Sequence, residues 1–199
     1  MLNRRRRIEI CGNIASGKTT LARGFAKIGY AAIEETFLRN PFIEKFYQNQ
    51  SLYSFETEIS FLLQHYHSIK SDKRGEALIC DFSLCLDNSY ADVTLPDHRR
   101  NIFLTISDEI IKEIGDPEMI IYLRCPEQVL LDRILKRGRK FETPIDISYL
   151  QKLSKAIESR ISMISSIVSV VEIDSNQIDF RKNILNIHSL SSITKLLDK

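Results

Sequence analysis

The chain has 199 residues, enough for one globular domain around a single sizeable core. Its 28 basic and 26 acidic residues nearly cancel, so the net charge of +2 points to no polyanionic partner. A 43% hydrophobic and 27% charged make-up excludes a disordered or fibrous chain, and no stretch approaches the roughly 20 apolar residues of a membrane span.

In chain order, the basic run Arg4 to Arg7 reads as a solvated arm over residues 1–6, with no signal-peptide core behind it. A strand is expected over Arg7–Cys11, then a glycine-rich loop and a helix from Lys18 to Ile28 closed by Gly29. A strand over Tyr30–Glu34 follows, then a helix with Phe55, Ile59, Leu62, Tyr66 and Ile69 as its apolar stripe. Next come a strand over Ala77–Asp81 and a helix carrying Phe103, Ile106, Ile110 and Ile114, stopped by Gly115-Asp116-Pro117. The strand Met119–Leu123 leads to a helix with Pro126 in its first turn and Gly138 at its end. Ser148 and Gln151 stand in capping-box spacing before a helix carrying Leu150, Leu153, Ile157 and Ile164. A strand over Val168–Ile173 and a C-terminal helix from near Phe180 complete the order. Alternating strands and helices predict one α/β domain, a parallel sheet with helices on both faces.

Cys11, Cys80, Cys85 and Cys125 form no CxxC pair, and His65 and His67 lie two apart, a poor match to zinc-ligand spacing. Neither a disulfide framework nor a thiolate metal site is expected, and a reducing, cytoplasmic setting is the default.

Gly12-Asn13-Ile14-Ala15-Ser16-Gly17-Lys18-Thr19 fits G-x-x-x-x-G-K-[ST] at every fixed position and lies between a predicted strand and a predicted helix. The glycines let successive N–H groups turn inward on phosphate oxygens, and the helix adds its positive N-terminal end. Lys18 then reaches the β- and γ-phosphates of ATP, and the Thr19 hydroxyl ligates Mg²⁺. Such a loop serves kinases, GTPases and ATPases alike. The chain carries no NKxD-type guanine-reading motif and is too short for an added mechanical domain.

Arg133 and Arg137 lie one turn apart on one helix face, and Gly138 frees Arg139 to swing round, a candidate cationic lid over a transferring phosphoryl group. The plainer reading is a solvated basic helix end. Glu34-Glu35 and Asp81 end predicted strands, where open α/β sheets bind their ligands. A carboxylate there serves as proton acceptor or as Mg²⁺ ligand; elsewhere an acid in a loop is simply solvated.

With these residues in order, the chain resembles the deoxynucleoside kinase family from about Ile8 to Phe180. The carriers are GNIASGKTT at Gly12–Thr20, Glu35, NPFIEKFY at Asn40–Tyr47 and YSFETEISFLLQHY at Tyr53–Tyr66. Asp81-Phe82-Ser83, IIYLRCP at Ile120–Pro126, RILKRGRKFE at Arg133–Glu142 and VVEIDSNQIDF at Val170–Phe180 complete the set. The resemblance implies a P-loop fold with sheet order 2-3-1-4-5 and ATP-dependent phosphorylation of a deoxynucleoside 5′-hydroxyl. It implies Glu35 as general base, Tyr47 and Glu142 on the sugar 3′-hydroxyl, Tyr90 stacked on the base and Asp87 as a further base contact. Asp81 matches an acid near Mg²⁺, and Asp174–Phe180 a loop around the adenine of ATP. Members are usually homodimers through a helix bundle, here including Ser54–Ile69.

Two positions depart from the family pattern. Phe82 replaces the Arg of its D/E-R-S motif, removing a cation near the phosphates, and Glu58 replaces its base-reading Gln. An ionised Glu58 only accepts hydrogen bonds and suits the two donors of guanine; a protonated one mimics Gln. Neither a nucleic-acid nor a membrane partner is expected. The rival readings are a kinase of nucleoside monophosphates or another small metabolite, and a non-catalytic nucleotide-binding subunit, for which Phe82 is the chief argument.

Overall fold

Apolar strands flanked by amphipathic helices fold as the alternation requires in the computed structural model, which describes residues 6–72, 74, 77–142 and 144–182. Five strands, β1 (Arg6–Gly12), β2 (Ala31–Ile33), β3 (Ala77–Cys80), β4 (Met119–Arg124) and β5 (Ser169–Asp174), form one sheet in the order β2-β3-β1-β4-β5. Every neighbouring pair is parallel. The helices are α1 (Lys18–Lys27), α2 (Ile43–Gln48), α3 (Gln50–Ser71), α4 (Leu84–Thr94), α5 (Asp97–Ile114), α6 (Glu127–Arg137) and α7 (Ile147–Ile164).

The period of two along the central strands sorts the core into two faces. Ile8, Ile10, Ile121 and Leu123 meet Leu21, Ala22 and Phe25 of α1 on one side. Cys11, Ile120 and Tyr122 meet residues of α4, α6 and α7, among them Leu86, Leu130 and Leu153, on the other. Among the described residues, no helix is long and apolar enough to cross a membrane.

Most of the basic arm lies outside the described residues. Arg6 and Arg7 belong to β1, and Arg7 is buried at 3% exposure because Glu9, at 1%, lies 2.7 Å away. Arg7 also donates to the Gly115 carbonyl at 2.8 Å, while Glu9 accepts the Leu84 N–H at 3.1 Å and so holds the first turn of α4 against the central strand. Pairing and hydrogen bonding of this kind offset the cost of burying charge.

Helices α2 and α4 were not marked by their apolar periodicity. Helix α4 is capped by Ser83, whose hydroxyl accepts the Cys85 N–H at 3.1 Å. Strand β2 is three residues long, since Glu34 turns outward to pair with Arg23 at 2.7 Å. Asp146, not Ser148, caps α7: it accepts the Tyr149 N–H at 2.8 Å and the Ser148 hydroxyl at 2.9 Å. The expected C-terminal helix falls largely outside the described residues.

Candidate active site

The loop between β1 and α1 is shaped by backbone that only small residues tolerate. A Cβ on Gly12 would lie 2.7 Å from Ser16 Oγ and 2.8 Å from the Leu123 carbonyl oxygen. Gly17 and Ala15 have positive φ, 107° and 60°. Lys18 folds back over the loop, its Nζ donating to the carbonyls of Gly12 at 2.9 Å and Asn13 at 3.2 Å. The Asn13 side chain points away from the cradle, donating to the Leu150 carbonyl and the Ser154 hydroxyl of α7, both at 2.9 Å. Its side-chain oxygen accepts the Ile14 N–H at 2.7 Å.

In front of the loop lies a cavity of about 480 Å³. Ile14 to Thr20, Glu35, Tyr47, Glu58, Asp87, Tyr90, Glu142 and all three lid candidates, Arg133, Arg137 and Arg139, line it. Gly12, Asn13, Asp81, Asp174 and Phe180 do not. Asp174 borders a separate groove with Arg124 and Glu172, and Phe180 is buried, its ring 3.1 Å from where a Gly17 Cβ would stand.

The arginines are held in two ways. Arg133 reaches from α6 to the Ala15 carbonyl at 3.3 Å and the Ser175 carbonyl at 2.9 Å, bridging the loop to the segment after β5. Gly138, at φ 67°, ends α6 and turns the chain so that Glu142, itself buried, receives Arg137 on both carboxylate oxygens at 2.8 and 2.7 Å and Arg139 at 3.2 Å. Arg139 also lies 4.0 Å over the Phe37 ring. Beside them Tyr47 packs on Phe141, 5.8 Å between centroids; burial, with Glu142 nearby, pushes its phenol pKa up.

Behind this wall runs a row of ionisable groups, half-buried at Glu35 and buried at His65, Asp87 and Glu58. Glu35, its side chain 29% exposed, lies 3.4 Å from Nε2 of His65, whose Nδ1 lies 2.8 Å from Asp87. Burial works to raise the pKa of Glu35, but the His65 contact, with Lys18 and Arg139 beyond it, leaves the carboxyl below its ordinary value. Burial alone would lower the pKa of His65; Asp87 and Glu35 outweigh it and push the ring up to about 10. Burial also raises the pKa of Asp87, against the pull of His65. Glu58, one turn back on α3 from Leu62, accepts the Thr94 hydroxyl at 3.0 Å. Burial, opposed by that bond and reinforced by Asp87, pushes Glu58 up to about 8.

Asp81 lies fully buried beneath the loop, and neither of its carboxylate oxygens has a hydrogen-bond partner among the described residues. Burial, reinforced by Glu35 and opposed by Thr19 and Lys18, pushes it up to about 7.

The family model "Deoxynucleoside kinase" matches residues 8–196. The chain belongs to the deoxynucleoside kinase family. Members transfer a phosphoryl group from ATP to the nucleoside 5′-hydroxyl, and the chain is a phosphotransferase of this kind; nothing favours a monophosphate kinase or a non-catalytic subunit. It is 34% identical over 185 residues to the deoxyguanosine kinase of Bacillus subtilis (strain 168), covering 88% of this chain and 89% of the relative. It is 28% identical over 165 residues to the deoxyadenosine/deoxycytidine kinase of the same organism, covering 78% and 76%. A structure of deoxyadenosine kinase from M. mycoides shares the fold at a TM-score of 0.80 and 23% identity, over 95% of this chain and 99% of that one.

His65, considered in the sequence only as a poor zinc ligand, and Phe82, considered only as a lost cation, stack on each other behind the cavity rather than lining it. Phe82 is fully buried, its ring parallel to the His65 imidazole at 4.0 Å with an interplanar angle of 4°. The available signal was the spacing: positions 58, 62, 65 and 69 all lie on the buried face of α3.

Proposed function

We propose that the chain phosphorylates the 5′-hydroxyl of a purine deoxynucleoside, deoxyguanosine in preference, with Glu35 as proton acceptor and the loop–arginine wall as phosphate clamp. The observation carrying this reading is the single cavity in which Lys18, Glu35 and the Glu58–Asp87 pair stand in series. The 5′-oxygen attacks the γ-phosphorus as its proton passes to Glu35, and the bond from phosphorus to the β,γ-bridging oxygen breaks to release ADP. Glu35, kept ionised at neutral pH, is a ready but weak base, which suits a loose transition state in which positioning and charge carry most of the catalysis.

Lys18, the amides of Ala15 to Thr20 and Arg133 hold the donor phosphates, and the segment Asp174–Phe180, tied to Arg133 through Ser175, flanks the adenine. Arg137 and Arg139 close as a lid and exclude water. The unpartnered oxygens of Asp81 beside Thr19 fit a hard cation. Those two residues would hold Mg²⁺, which when bound neutralises charge on the β- and γ-phosphates. Tyr47 and Glu142 face the sugar, and Tyr90 stacks on the base.

Guanine is favoured because it suits Glu58 in both states. A neutral carboxyl donates to O6 and accepts N1–H; an ionised one accepts N1–H and the amino group. Adenine and cytosine match only the neutral form. The deoxyguanosine kinase among the relatives agrees with this choice. A homodimer belongs to the same reading, with the exposed Leu52 and Leu63 of α3 and Ile102 of α5 as apolar surface for a second copy to cover. So does a cytoplasmic setting, in keeping with four buried free cysteines, and no nucleic-acid or membrane partner enters it.

The test is ADP release with each of the four deoxynucleosides at pH 7 and pH 9, repeated in Glu35→Gln. Stimulation by deoxyguanosine, lost in the variant, with a deoxyguanosine-to-deoxyadenosine ratio rising with pH, is expected. Full turnover in Glu35→Gln removes the base assignment, and preference for thymidine removes the guanine reading.

A further inference from the structure

His65 is buried at 4% exposure at the middle of α3, yet it is not a core histidine satisfied by backbone. Its ring lies between Phe82, parallel at 4.0 Å, and Phe61, at 5.9 Å and 28°, so aromatic faces clamp it and fix the plane in which its nitrogens point. In that plane one nitrogen meets Asp87 of α4 at 2.8 Å and the other meets Glu35, from the segment after β2, at 3.4 Å. Nε2 stands at ion-pair distance from Glu35 and has no hydrogen-bond partner among the described residues, so this buried nitrogen has that carboxylate as its facing group. A neutral imidazole has one N–H and one lone pair; placed between two carboxylates it turns that lone pair on one of them. The doubly protonated ring presents an N–H to each, in a hydrogen bond to Asp87 and an ion pair with Glu35. Glu58 of its own helix is the remaining acid near it and is itself largely protonated at neutral pH, while Lys18 and Arg139 also act on Glu35.

We propose that His65 is a positioning residue, a permanently protonated bridge from Asp87 to Glu35 that aims and charges the proton-accepting carboxylate, with Phe82 as its stacking platform. This rests on Glu35 being the proton acceptor. Two functions follow from one side chain. The Glu35 carboxylate is held at a set angle toward the cavity, and the Asp87 end, which faces the base, is tied mechanically to the end where the proton moves. The aromatic at position 82 thus belongs to a working cationic device, with the positive charge supplied by the ring stacked on it.

Two measurements test it in the full chain. The first is the ¹⁵N chemical shift of the His65 ring nitrogens at pH 8, which needs no variant that removes the ring. Two protonated nitrogens are expected; a single neutral tautomer overturns the proposal. The second is steady-state kinetics with deoxyguanosine and Mg·ATP for His65→Gln, His65→Arg, Glu35→Gln and the double variant His65→Gln/Glu35→Gln. His65→Gln should lower kcat by about 10–100-fold with KM for ATP unchanged, as expected for a misaimed reacting group. The cation in His65→Arg should recover much of that loss, and His65→Gln should cost little more once Glu35 is already Gln. Wild-type kcat in His65→Gln overturns the proposal, as does an undiminished loss in the Glu35→Gln background, which marks a merely structural role. Inactive Glu35→Gln beside normal His65→Gln leaves the base assignment standing and removes only His65; an active Glu35→Gln removes both.

Discussion

Replacing Glu58 by Gln changes one buried carboxyl into its amide while keeping its shape and its acceptor for the Thr94 hydroxyl. In the unfolded chain Glu58 titrates near its ordinary 4.5; in the folded protein it holds its proton to about 8. Between these values the native state binds more protons than the unfolded one, so stability falls as pH rises through that window. Treated as a single carboxyl, the cost relative to acid solution is about 1 kcal/mol at pH 5 and about 3 kcal/mol at pH 7. Glu58→Gln removes it. A chain of this size gains roughly 2–4 °C in Tm per kcal/mol, so the variant should melt about 6–12 °C higher at pH 7 and about 2–4 °C higher at pH 5. Thermal unfolding of both proteins at the two pH values, without nucleoside, is the assay. The same variant should flatten the pH dependence of the deoxyguanosine-to-deoxyadenosine ratio. A gain of equal size at pH 5 and pH 7, or a loss at pH 7, refutes the argument from burial.

Three further outcomes follow from the geometry. Gly12→Ala puts a methyl group against the Leu123 carbonyl oxygen and Ser16, so a destabilisation of about 1–3 kcal/mol with loss of ATP binding is expected by melting and nucleotide titration. Glu142→Ala releases Arg137 and Arg139 together, and kcat for deoxyguanosine should fall by about 10–100-fold; wild-type kcat would show that the guanidiniums need no anchor. Asp81→Asn removes a buried carboxylate with unpartnered oxygens, so the metal-free protein should melt higher at pH 8 while the Mg²⁺ needed for half-maximal rate rises by about tenfold or more.

The strands, the phosphate loop and the arginines were legible because each has a local signature: apolar runs, glycine spacing, and cations one turn apart; the strand order came only with the family resemblance. Helix α3 shows where legibility stopped. Its apolar residues Phe55, Ile59 and Tyr66 are half-buried, packed in the cluster around Phe103, whereas its fully buried face carries Glu58 and His65 beside Leu62 and Ile69. Charged residues in a functional cavity invert the pattern that hydrophobicity would assign, so a helix lining a polar site reads one face out of place. Arg7 misled in the same way: its buried state depends on Glu9 two residues on, and neither charge alone signals burial. The pairing of His65 with Asp87 spans 22 residues and two helices, and only the packing of α3 on α4 brings it about.

Glu9 has a bearing on what the molecule can accept. It sits on the strand that ends in the phosphate loop, and it grips the start of the helix that presents Asp87 and Tyr90. On the proposed reading, the jaw for phosphate and the jaw for the heterocycle are therefore both mounted on one central strand. Their separation acts as a fixed gauge, whereas Arg139 and Glu142, which anchors Arg137, stand on the turn that starts at Gly138. An acceptor of the wrong span between hydroxyl and ring edge finds no give along that gauge, and the tolerance of the site lies crosswise, around the sugar.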